Sequence, residues 1–433
     1  MKRKTNRGVP AASSQPAGEV MRARRKLLVR GAKAAGAVAI GATGALSASA
    51  RAQVAVQPWM QVPGAQSRGY GQPSKFEEKV QRIWATGYAS VSPGTGASRT
   101  PLQSLNGTLT PNGLHFERHH NGVPEIDPAR HQLLIHGMVN RPLSFTADAL
   151  LRYPMVSRIC FLECSGNSGP NTFPQAPQAN AQAIHGLLSC AEWTGVPLAT
   201  LLNEAGIDPK ATWLLAEGAD AAAMSRSVPM AKALDDAMIA LYQNGERIRP
   251  EQGYPMRLLL PGYEGNMNVK WLRRIKATDA PTHTKDETSK YTDLMRDGKA
   301  QQFTFEQGVK SVITQPSGGS AMRGPGLYEI SGLAWSGAGR ITRVEVSTDG
   351  GASWKDAALD APVLSMALVR FRLPWQWSGA GASLQSRATD EIGNVQPTRA
   401  AWNAVFSPGH RYHNNMIQTW AIGADGSVKN VYA

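Results

Sequence analysis

The 433-residue sequence has only three cysteines, at positions 160, 164 and 190. In an oxidising compartment they allow one disulfide and leave one thiol unpaired. A bridge between Cys160 and Cys164 is disfavoured, because an extended strand with that spacing holds the two sulfurs too far apart. The chain also lacks a Cys-x-x-Cys-His motif, which excludes a covalently attached c-type haem. If the protein is exported, its unpaired thiol needs an explanation.

Two other patterns are missing. There is no Gly-x-Gly-x-x-Gly or Walker motif, so nucleotide cofactors lack support. Long runs of Leu, Ile and Phe are also missing: the stretch 31–48 consists largely of Ala and Gly and makes an unconvincing membrane span. It follows Arg24-Arg25 and precedes a plausible cleavage site before Gln53. Residues 1–52 therefore predict a twin-arginine signal peptide, export to the periplasm, and no stable membrane span after cleavage.

The positive charge is concentrated in that leader. Of the formal net charge of +14, residues 1–52 hold eleven Lys and Arg and one Glu. The remaining chain has 35 basic and 31 acidic residues and is close to balanced. The charge therefore does not favour nucleic-acid binding.

Five regions are predicted after the leader. Short helices and strands alternate irregularly in one long region, which indicates a mixed α+β domain rather than a doubly wound sheet. A later region shows short alternating strands with turns such as Asp349-Gly-Gly351, typical of an immunoglobulin-like β-sandwich. Residues 53–100 are predicted to form an extended arm with a short helix at 75–84, and residues 101–280 the α+β domain. A polar connector (281–308) leads to the sandwich (309–408). Residues 409–433 are predicted to form a tail that is too polar for core strands and wraps a partner or the other domain.

Cys164 lies where an apolar strand turns into small polar residues, in the stretch 159–173. Gly166 leaves room for close backbone approach, and successive N–H groups in such a turn suit an anion. The alternative is that Cys164 is a buried small hydrophobe, as most free cysteines are. This stretch alone does not decide between the two.

Three clusters in the α+β domain carry residue types suited to a large anionic ligand and a soft metal: Arg118-His119-His120, the Cys164 loop, and 257–271. Singly, each is also typical of ordinary turns and surface ion pairs. A zinc or copper site at His119, His120 and Cys164 is a further alternative, although it lacks the usual paired ligand spacing.

Together and in this order, the motifs resemble those of the sulfite oxidase family of molybdenum enzymes, from about Leu109 to Phe406. The similar segments are 110–120, Cys164-Ser-Gly-Asn167, 189–198, 253–262, 269–272 and, in the sandwich, 334–337 and 347–351. The resemblance implies an α+β molybdopterin-binding catalytic domain followed by an immunoglobulin-like dimerisation domain. It also implies a molybdenum–molybdopterin cofactor and no haem on this chain.

The resemblance also implies roles for individual residues. Cys164 would ligate molybdenum, Arg118 would also face the substrate anion, and Tyr291 would be the active-site tyrosine if the count from Trp271 has no gaps. Arg370 or Arg372 would supply a further substrate arginine. Gln252 stands where the family commonly has His. The implied cofactor-binding residues are Phe116, Arg118, His119, His120, Asp220, Gln252, Arg257, Asn268, Val269 and Lys270.

Within the family, the chain is most similar to the molybdenum subunits of sulfane dehydrogenases. That similarity implies a separate c-type cytochrome subunit, substrate sulfur attached to a carrier protein, and a homodimer through the C-terminal domain within a hetero-oligomer. One alternative is a periplasmic sulfite dehydrogenase that passes electrons from free sulfite to cytochrome c. An alternative of another class is a secreted, non-catalytic binding protein that uses its sandwich for partners.

Overall fold

The computed structural model describes residues 57–66, 68–85 and 92–432. The predicted signal peptide lies outside the described residues. Residues 57–72 belong to a unit of their own, where the described residues are mostly exposed and include the 3-10 helix Pro58–Met60. Residues 73–433 form the other unit. Within the described residues, no helix has the length and apolar character needed to cross a membrane.

The first part of this larger unit is built from short strands and four short helices. The helices are α1 (Ala147–Leu150), α2 (Ala181–His185), α3 (Leu198–Ala205) and α4 (Met230–Asp235). The strands are β1 (Ile83–Trp84), β2 (Gly96–Arg99), β3 (Glu117–His119), β4 (Gln132–Gly137), β5 (Leu143–Thr146), β6 (Val156–Glu163), β7 (Leu188–Pro197), β8 (Trp213–Gly218), β9 (Ser225–Pro229), β10 (Met238–Gln243), β11 (Glu246–Arg247), β12 (Arg257–Leu259) and β13 (Leu272–Thr278).

Two five-stranded sheets enclose the core of this domain. One has the order β5-β4-β13-β8-β9, with only β4 and β13 parallel; the other runs β11-β10-β7-β6, with β12 beside β10. Helix α3 shows why the chain folds this way locally: Pro197 precedes it, and its Leu198, Leu201 and Leu202 are fully buried. It ends at Gly206, whose φ of +68° favours glycine. The mixed α+β prediction is confirmed.

The second part is an antiparallel sandwich of two sheets, one of four strands and one of five among the described residues. Its core includes the fully buried Trp335, Phe371 and Trp420. Between the domains lie α5 (Lys285–Ser289), β14 (Thr292–Leu294) and β15 (Ala300–Gln302). The remaining elements are β16 (Lys310–Gln315), β17 (Gly326–Trp335), β18 (Ile341–Ser347), β19 (Lys355–Asp356), β20 (Ala358–Leu359), β21 (Val369–Trp377), β22 (Ala382–Asp390), α6 (Arg399–Val405), β23 (Thr419–Ile422) and β24 (Val428–Val431).

Strands β23 and β24 correct the prediction of a strandless polar tail over 409–433. Strand β23 pairs with β22 and brings the Trp420 ring into the sandwich core, where its indole N–H donates to the Ile313 carbonyl at 3.0 Å. A strand near the edge of a sheet needs only a few buried positions, so polar neighbours are tolerated. Residues 410–414 pack on the α+β domain, as described below.

The predicted arm and connector also contain secondary structure and buried residues that their polar composition did not indicate. The helix-like stretch 75–84 holds only the 3-10 helix Lys75–Glu77 and strand β1, and β2 within the arm pairs with β3. In the connector, Glu287 is fully buried and lies 3.6 Å from the Arg226 guanidinium. Its charge is paired inside the protein, whereas composition alone suggested a solvated segment.

The two domains share one apolar cluster. Phe161, Leu188 and Cys190, from β6 and β7, belong to the cluster that forms the sandwich core, and the Phe161 and Trp335 rings are 6.4 Å apart. The sandwich therefore packs directly on the strand that ends at Cys164.

Candidate active site

Cys164 follows the last residue of β6 and begins a tight turn. Its N–H donates to the Leu187 carbonyl at 3.0 Å, and its own carbonyl accepts from the Asn167 N–H at 2.8 Å. The loop around Gly265 lies directly against this turn: a Cβ on Gly265 would come within 2.9 Å of the Glu163 carbonyl oxygen. Burial raises the pKa of the Cys164 thiol, and the nearby Arg118 opposes that effect. The strand thus presents a partly exposed thiol at the edge of a cavity.

Strand β3 supplies Arg118 and His119, with His120 directly after it. Residue 96 on the paired strand must be small, because a Cβ there would lie 2.8 Å from the His119 Nε2 atom. Burial, with a contribution from nearby cations, lowers the pKa of His119 to about 4 and that of His120 to about 3. Both imidazoles are therefore neutral at physiological pH, and each can accept a hydrogen bond at its unprotonated nitrogen.

Arg257 and Lys270 contribute positive charge to the same cavity. The two terminal nitrogens of Arg257 donate to the carbonyls of Gln252 at 3.0 Å and Asn268 at 2.9 Å. Lys270 Nζ donates to the Glu251 carbonyl at 2.9 Å. Burial lowers the pKa of Arg257 to about 9 and that of Lys270 to about 7. Within the described part of the chain, no carboxylate lies within ion-pair distance of either group. These cations are therefore available to an anionic ligand.

The polar residues between these cations mainly shape the backbone. The Asn268 side chain accepts from the Leu260 N–H at 2.7 Å and donates to the Glu264 carbonyl at 3.0 Å. Gln252 Nε2 donates to the Phe116 carbonyl at 2.8 Å and so ties the loop before β12 to the segment before β3. Asp220 is the one carboxylate that lines the cavity, and burial raises its pKa.

Tyr291 also lines the cavity, beside His120. Its hydroxyl is 3.1 Å from His120 Nε2, and since His120 is neutral, the hydroxyl can donate to that nitrogen. The Arg226 guanidinium lies over the Tyr291 ring at 5.0 Å. Burial, with the negative charge of a Cys164 thiolate as a smaller cause, raises the pKa of Tyr291 well above its usual value. The hydroxyl is therefore a proton donor at neutral pH.

The C-terminal segment covers the Cys164 loop from outside. The His413 N–H donates to the Ser165 carbonyl at 2.8 Å, and Asn414 Nδ2 donates to the Ser168 carbonyl at 2.9 Å. Directly before these two anchors in the chain, the Tyr412 ring centre lies 5.7 Å from that of Tyr291. A Cβ on Gly166 would lie 3.9 Å from the Tyr412 ring and 4.0 Å from the Cys164 sulfur. This segment therefore packs on the other domain beside the thiol.

The structure brings the predicted catalytic and cofactor-binding residues into one cavity, apart from the further arginine expected from the sandwich. Its lining includes all twelve: Phe116, Arg118, His119, His120, Cys164, Asp220, Gln252, Arg257, Asn268, Val269, Lys270 and Tyr291. The cavity also has lining residues that sequence reasoning missed: Leu162, Met224, Gly265, Asn266 and Trp271. Asn266 and Trp271 stand next to predicted positions, so the motif blocks could have indicated them. Met224 follows an irregular loop and carried no such signal.

The expectation of a further arginine from the sandwich is wrong for the described structure. Neither Arg370 nor Arg372 lines the cavity. Arg370 is buried and donates to the carbonyls of Leu105 and Gly107, at 3.0 to 3.1 Å. Arg372 pairs with Glu329 and Asp360. Both guanidinium groups are already used by neighbours within and beside the sandwich.

The cavity residues fit a molybdenum–pterin group. The buried Arg257 Nε and His119 Nδ1 atoms have no hydrogen-bond partner among the described residues, and cations outnumber carboxylates around the cavity. Among the described lining residues, Cys164 has the only thiol, and a soft thiolate ligand suits molybdenum. In contrast, the described residues contain no group of three or more His, Cys, Asp or Glu side chains that could hold a metal ion. The zinc or copper alternative therefore lacks a ligand set.

Two family models match the chain, one in each domain. The model described as "Oxidoreductase molybdopterin binding domain" matches residues 120–285. The model described as "Mo-co oxidoreductase dimerisation domain" matches residues 301–420. Together they cover most of the cavity residues and most of the sandwich.

Individual relatives agree with these models. Sulfite oxidase from Gallus gallus is 32% identical over 322 residues, which is 68% of this chain and 70% of that protein. An NADH nitrate reductase from Solanum lycopersicum is 31% identical over 351 residues, 71% of this chain but only 38% of that longer enzyme. The crystal structure of the sulfane dehydrogenase SoxCD from Paracoccus pantotrophus superposes with a TM-score of 0.85 at 46% identity, covering 87% of this chain and 97% of that one.

The cavity, with its thiol and its cations, agrees with both domain matches and with the alignment over 70% of Gallus gallus sulfite oxidase. The chain therefore belongs to the sulfite oxidase family of molybdopterin-dependent oxidoreductases.

Proposed function

We propose that this chain is the molybdenum-carrying subunit of a periplasmic sulfane dehydrogenase. It oxidises sulfane sulfur attached to a carrier protein during thiosulfate oxidation and passes the electrons to a c-type cytochrome subunit. The observation that carries the proposal is the 46% identity to the SoxCD structure over 97% of that chain. The twin-arginine pattern at Arg24-Arg25 supports export, and the match to a dimerisation domain supports a homodimer within a larger assembly.

The cavity residues divide into a cofactor-holding side and a reacting side. Cys164 would ligate the metal as a thiolate, while Arg257, Lys270 and His119 would hold the pterin and its phosphate with Phe116, His120, Asp220, Gln252, Asn268 and Val269 around them. When bound, the molybdenum centre supplies oxygen-atom transfer to sulfur and accepts two electrons. The protein's task is therefore to position the cofactor and to handle charge and protons.

On the reacting side, Arg118 stabilises the negative charge on the substrate sulfur species. Each oxygen atom added to sulfur comes from water, so each addition releases two protons and two electrons. The Tyr291 hydroxyl donates to Nε2 of the neutral His120, so the pair can relay a proton in that direction: the tyrosine oxygen takes one up and passes its own to Nε2, while the ring releases the proton of its other nitrogen. The electrons leave to the external cytochrome, since the chain has no haem-attachment motif.

The test compares three substrates with the full protein purified together with its cytochrome. Haem reduction is followed with the carrier protein bearing sulfane sulfur, with the same carrier bearing a free thiol, and with free sulfite. We expect turnover with the sulfane-bearing carrier only. Turnover with free sulfite alone would instead support the second candidate, a sulfite dehydrogenase, which the similarity to Gallus gallus sulfite oxidase favours.

Two further measurements address the remaining parts of the proposal. Molybdenum and pterin are quantified in protein from the exported fraction, and their absence would support the non-catalytic binding protein instead. Replacing Arg24 and Arg25 by Lys should retain the precursor in the cytoplasm. Export that continues unchanged would contradict the twin-arginine route.

A further inference from the structure

The carboxylate of Glu163, directly before Cys164, is buried in a complete set of hydrogen bonds. Its side chain is 3% exposed. Oε1 accepts from Lys310 Nζ at 2.9 Å and from Asn167 Nδ2 at 2.9 Å, while Oε2 accepts from the Trp335 indole N–H at 2.7 Å. Both carboxylate oxygens are thus fixed at the residue that precedes the thiol.

Most of the groups that hold Glu163 come from the sandwich rather than from its own domain. Lys310 begins β16 and Trp335 ends β17. Gln307, just before β16, adds a hydrogen bond from Nε2 to the Glu163 carbonyl at 3.3 Å. The sandwich therefore holds both the side chain and the backbone of the residue next to Cys164.

Lys310 also holds the far end of the Cys164 loop. Its Nζ donates to Ser168 Oγ at 2.7 Å, and that hydroxyl lies 2.6 Å from His185 Nδ1. Ser168 has a φ of +63°, a conformation that non-glycine residues seldom adopt without support. One ammonium group thus joins Glu163, before the thiol, to Ser168, after it.

This arrangement differs from a surface ion pair. Both partners are almost completely buried, and such a pair is weak as a source of stability because its desolvation opposes the attraction. Its effect here is geometric, because it helps to fix the six-residue loop 163–168. The five side chains that bond to Glu163 or Ser168 in this loop are Asn167, His185, Gln307, Lys310 and Trp335. Partners behind a metal ligand commonly set its orientation.

We propose that Glu163 and Lys310 are positioning residues through which the sandwich domain sets the orientation of the Cys164 sulfur in the cavity. This inference rests on the proposed role of Cys164 as the molybdenum ligand. It assigns to the sandwich a second task besides subunit contact: it holds one edge of the active site.

The test uses the electron paramagnetic resonance spectrum of the Mo(V) state, which reports the geometry of the sulfur ligand independently of turnover. The variants are Glu163→Gln, Lys310→Met, their combination, and Trp335→Phe, which removes one N–H donor and keeps an aromatic ring. We expect altered spectra in both single variants and a smaller change in Trp335→Phe. The combined variant should also keep an altered spectrum, because it leaves no charge unpaired but still lacks the ammonium group that joins residue 163 to Ser168.

Asp390→Asn provides a matched control. Asp390 is a buried carboxylate of the same domain, and it is bonded to Ser336 and Asn394 and to no residue of the Cys164 loop. It should lower thermal stability without changing the spectrum. Wild-type spectra in all Glu163, Lys310 and Trp335 variants, with only a stability loss like that of Asp390→Asn, would overturn the proposal.

Trp335→Phe decides the question if the charge variants do not fold. A Cys164→Ser reference separates this inference from the proposed function. An unchanged spectrum in Cys164→Ser would show that Cys164 is not the ligand. A changed spectrum in Cys164→Ser, together with unchanged spectra in the Glu163 and Lys310 variants, would overturn the positioning role alone.

Discussion

Two buried cationic regions lie on either side of Cys164, and they are built differently. The front region consists of Arg257 and Lys270, which line the cavity and donate to backbone carbonyls. The rear region consists of Lys310, whose partners are the Glu163 carboxylate and the Ser168 hydroxyl. Isolated buried charge is costly, whereas a paired and hydrogen-bonded charge is tolerated. The contrast indicates that the front region is completed by an anion that is not part of the chain.

The same contrast separates function from support. The front region should respond to the presence of the cofactor, because its electrostatic balance depends on it. The rear region should not, because its charges balance within the protein. Each prediction below tests whether a residue belongs to the front region, which should respond to the cofactor, or to the rear region, which should not.

Cys164 lies where the two regions meet, and its replacement should have the largest effect. Cys164→Ser should fold and lose all turnover, because a serine hydroxyl does not replace a soft thiolate ligand. The measurement is cytochrome reduction together with molybdenum content. Cys160→Ala is the control, since Cys160 is buried on the same strand and does not line the cavity; it should lose stability and keep turnover per bound molybdenum. Full activity in Cys164→Ser would refute the assignment.

Tyr291→Phe tests the reacting wall. The change removes the hydroxyl beside His120 and keeps the ring beneath Arg226, so kcat should fall by roughly 10²-fold or more, the usual contribution of a positioned proton donor. Molybdenum content should not change. Tyr153→Phe serves as control, because Tyr153 is hydrogen bonded to Glu204 at the surface. A kcat within about twofold of wild type would exclude Tyr291 from proton transfer.

Arg257→Gln tests the front region directly. A charge-assisted hydrogen bond contributes about 1.5–3 kcal/mol, so cofactor binding should weaken by about 10- to 100-fold. The ratio of pterin to protein after extended dialysis measures that loss. Arg372→Gln is the control: Arg372 pairs with Glu329 and Asp360 away from the cavity, so its replacement should leave cofactor retention unchanged. Equal retention in both variants would mean that Arg257 does not hold the cofactor.

Much of the front region could be predicted from sequence because its residues occur in contiguous motifs. Arg118, Cys164 and Arg257 each stand within a short block whose residue types suit an anionic ligand, and the structure places all three in one cavity. Tyr291 depended on a count across a divergent stretch, yet it also lines the cavity. Local patterns succeed where the chemistry and the backbone turn lie in the same few residues.

The rear region and the sandwich arginines could not be predicted in this way. Glu163 and Lys310 are 147 positions apart, and nothing in either segment identifies the other as its partner. The strand containing Arg370 was predictable by alternation, but which neighbour its side chain reaches depends on how the domains pack. The strands beyond residue 418 were missed because their buried apolar residues, Trp420, Ile422 and Val428, stand among polar ones, some of which are buried as well.

The smallest expected effect concerns pH and Lys270. Its pKa in the folded protein is about 7, lowered first by burial and then by Arg257, against opposing effects of Glu117 and Asp220. The unfolded chain binds that proton up to about pH 10.5, so between about pH 7 and 10.5 this residue makes the cofactor-free protein more stable as pH rises. An anion in the cavity favours the charged amine, so anion binding requires proton uptake above about pH 7.

Sulfate provides a simple probe, since its charge is constant across this range. We expect its affinity for the cofactor-free protein, measured by thermal shift, to be flat just below about pH 7 and to fall by up to about tenfold per unit between about pH 7 and the pKa of Arg257 near 9. Lys270→Met should remove that slope, whereas Lys310→Met should keep it, because Lys310 is paired within the protein. A slope that survives in Lys270→Met would place the titrating group elsewhere in the cavity. A slope lost in Lys310→Met would show that the two regions are electrostatically coupled rather than separate.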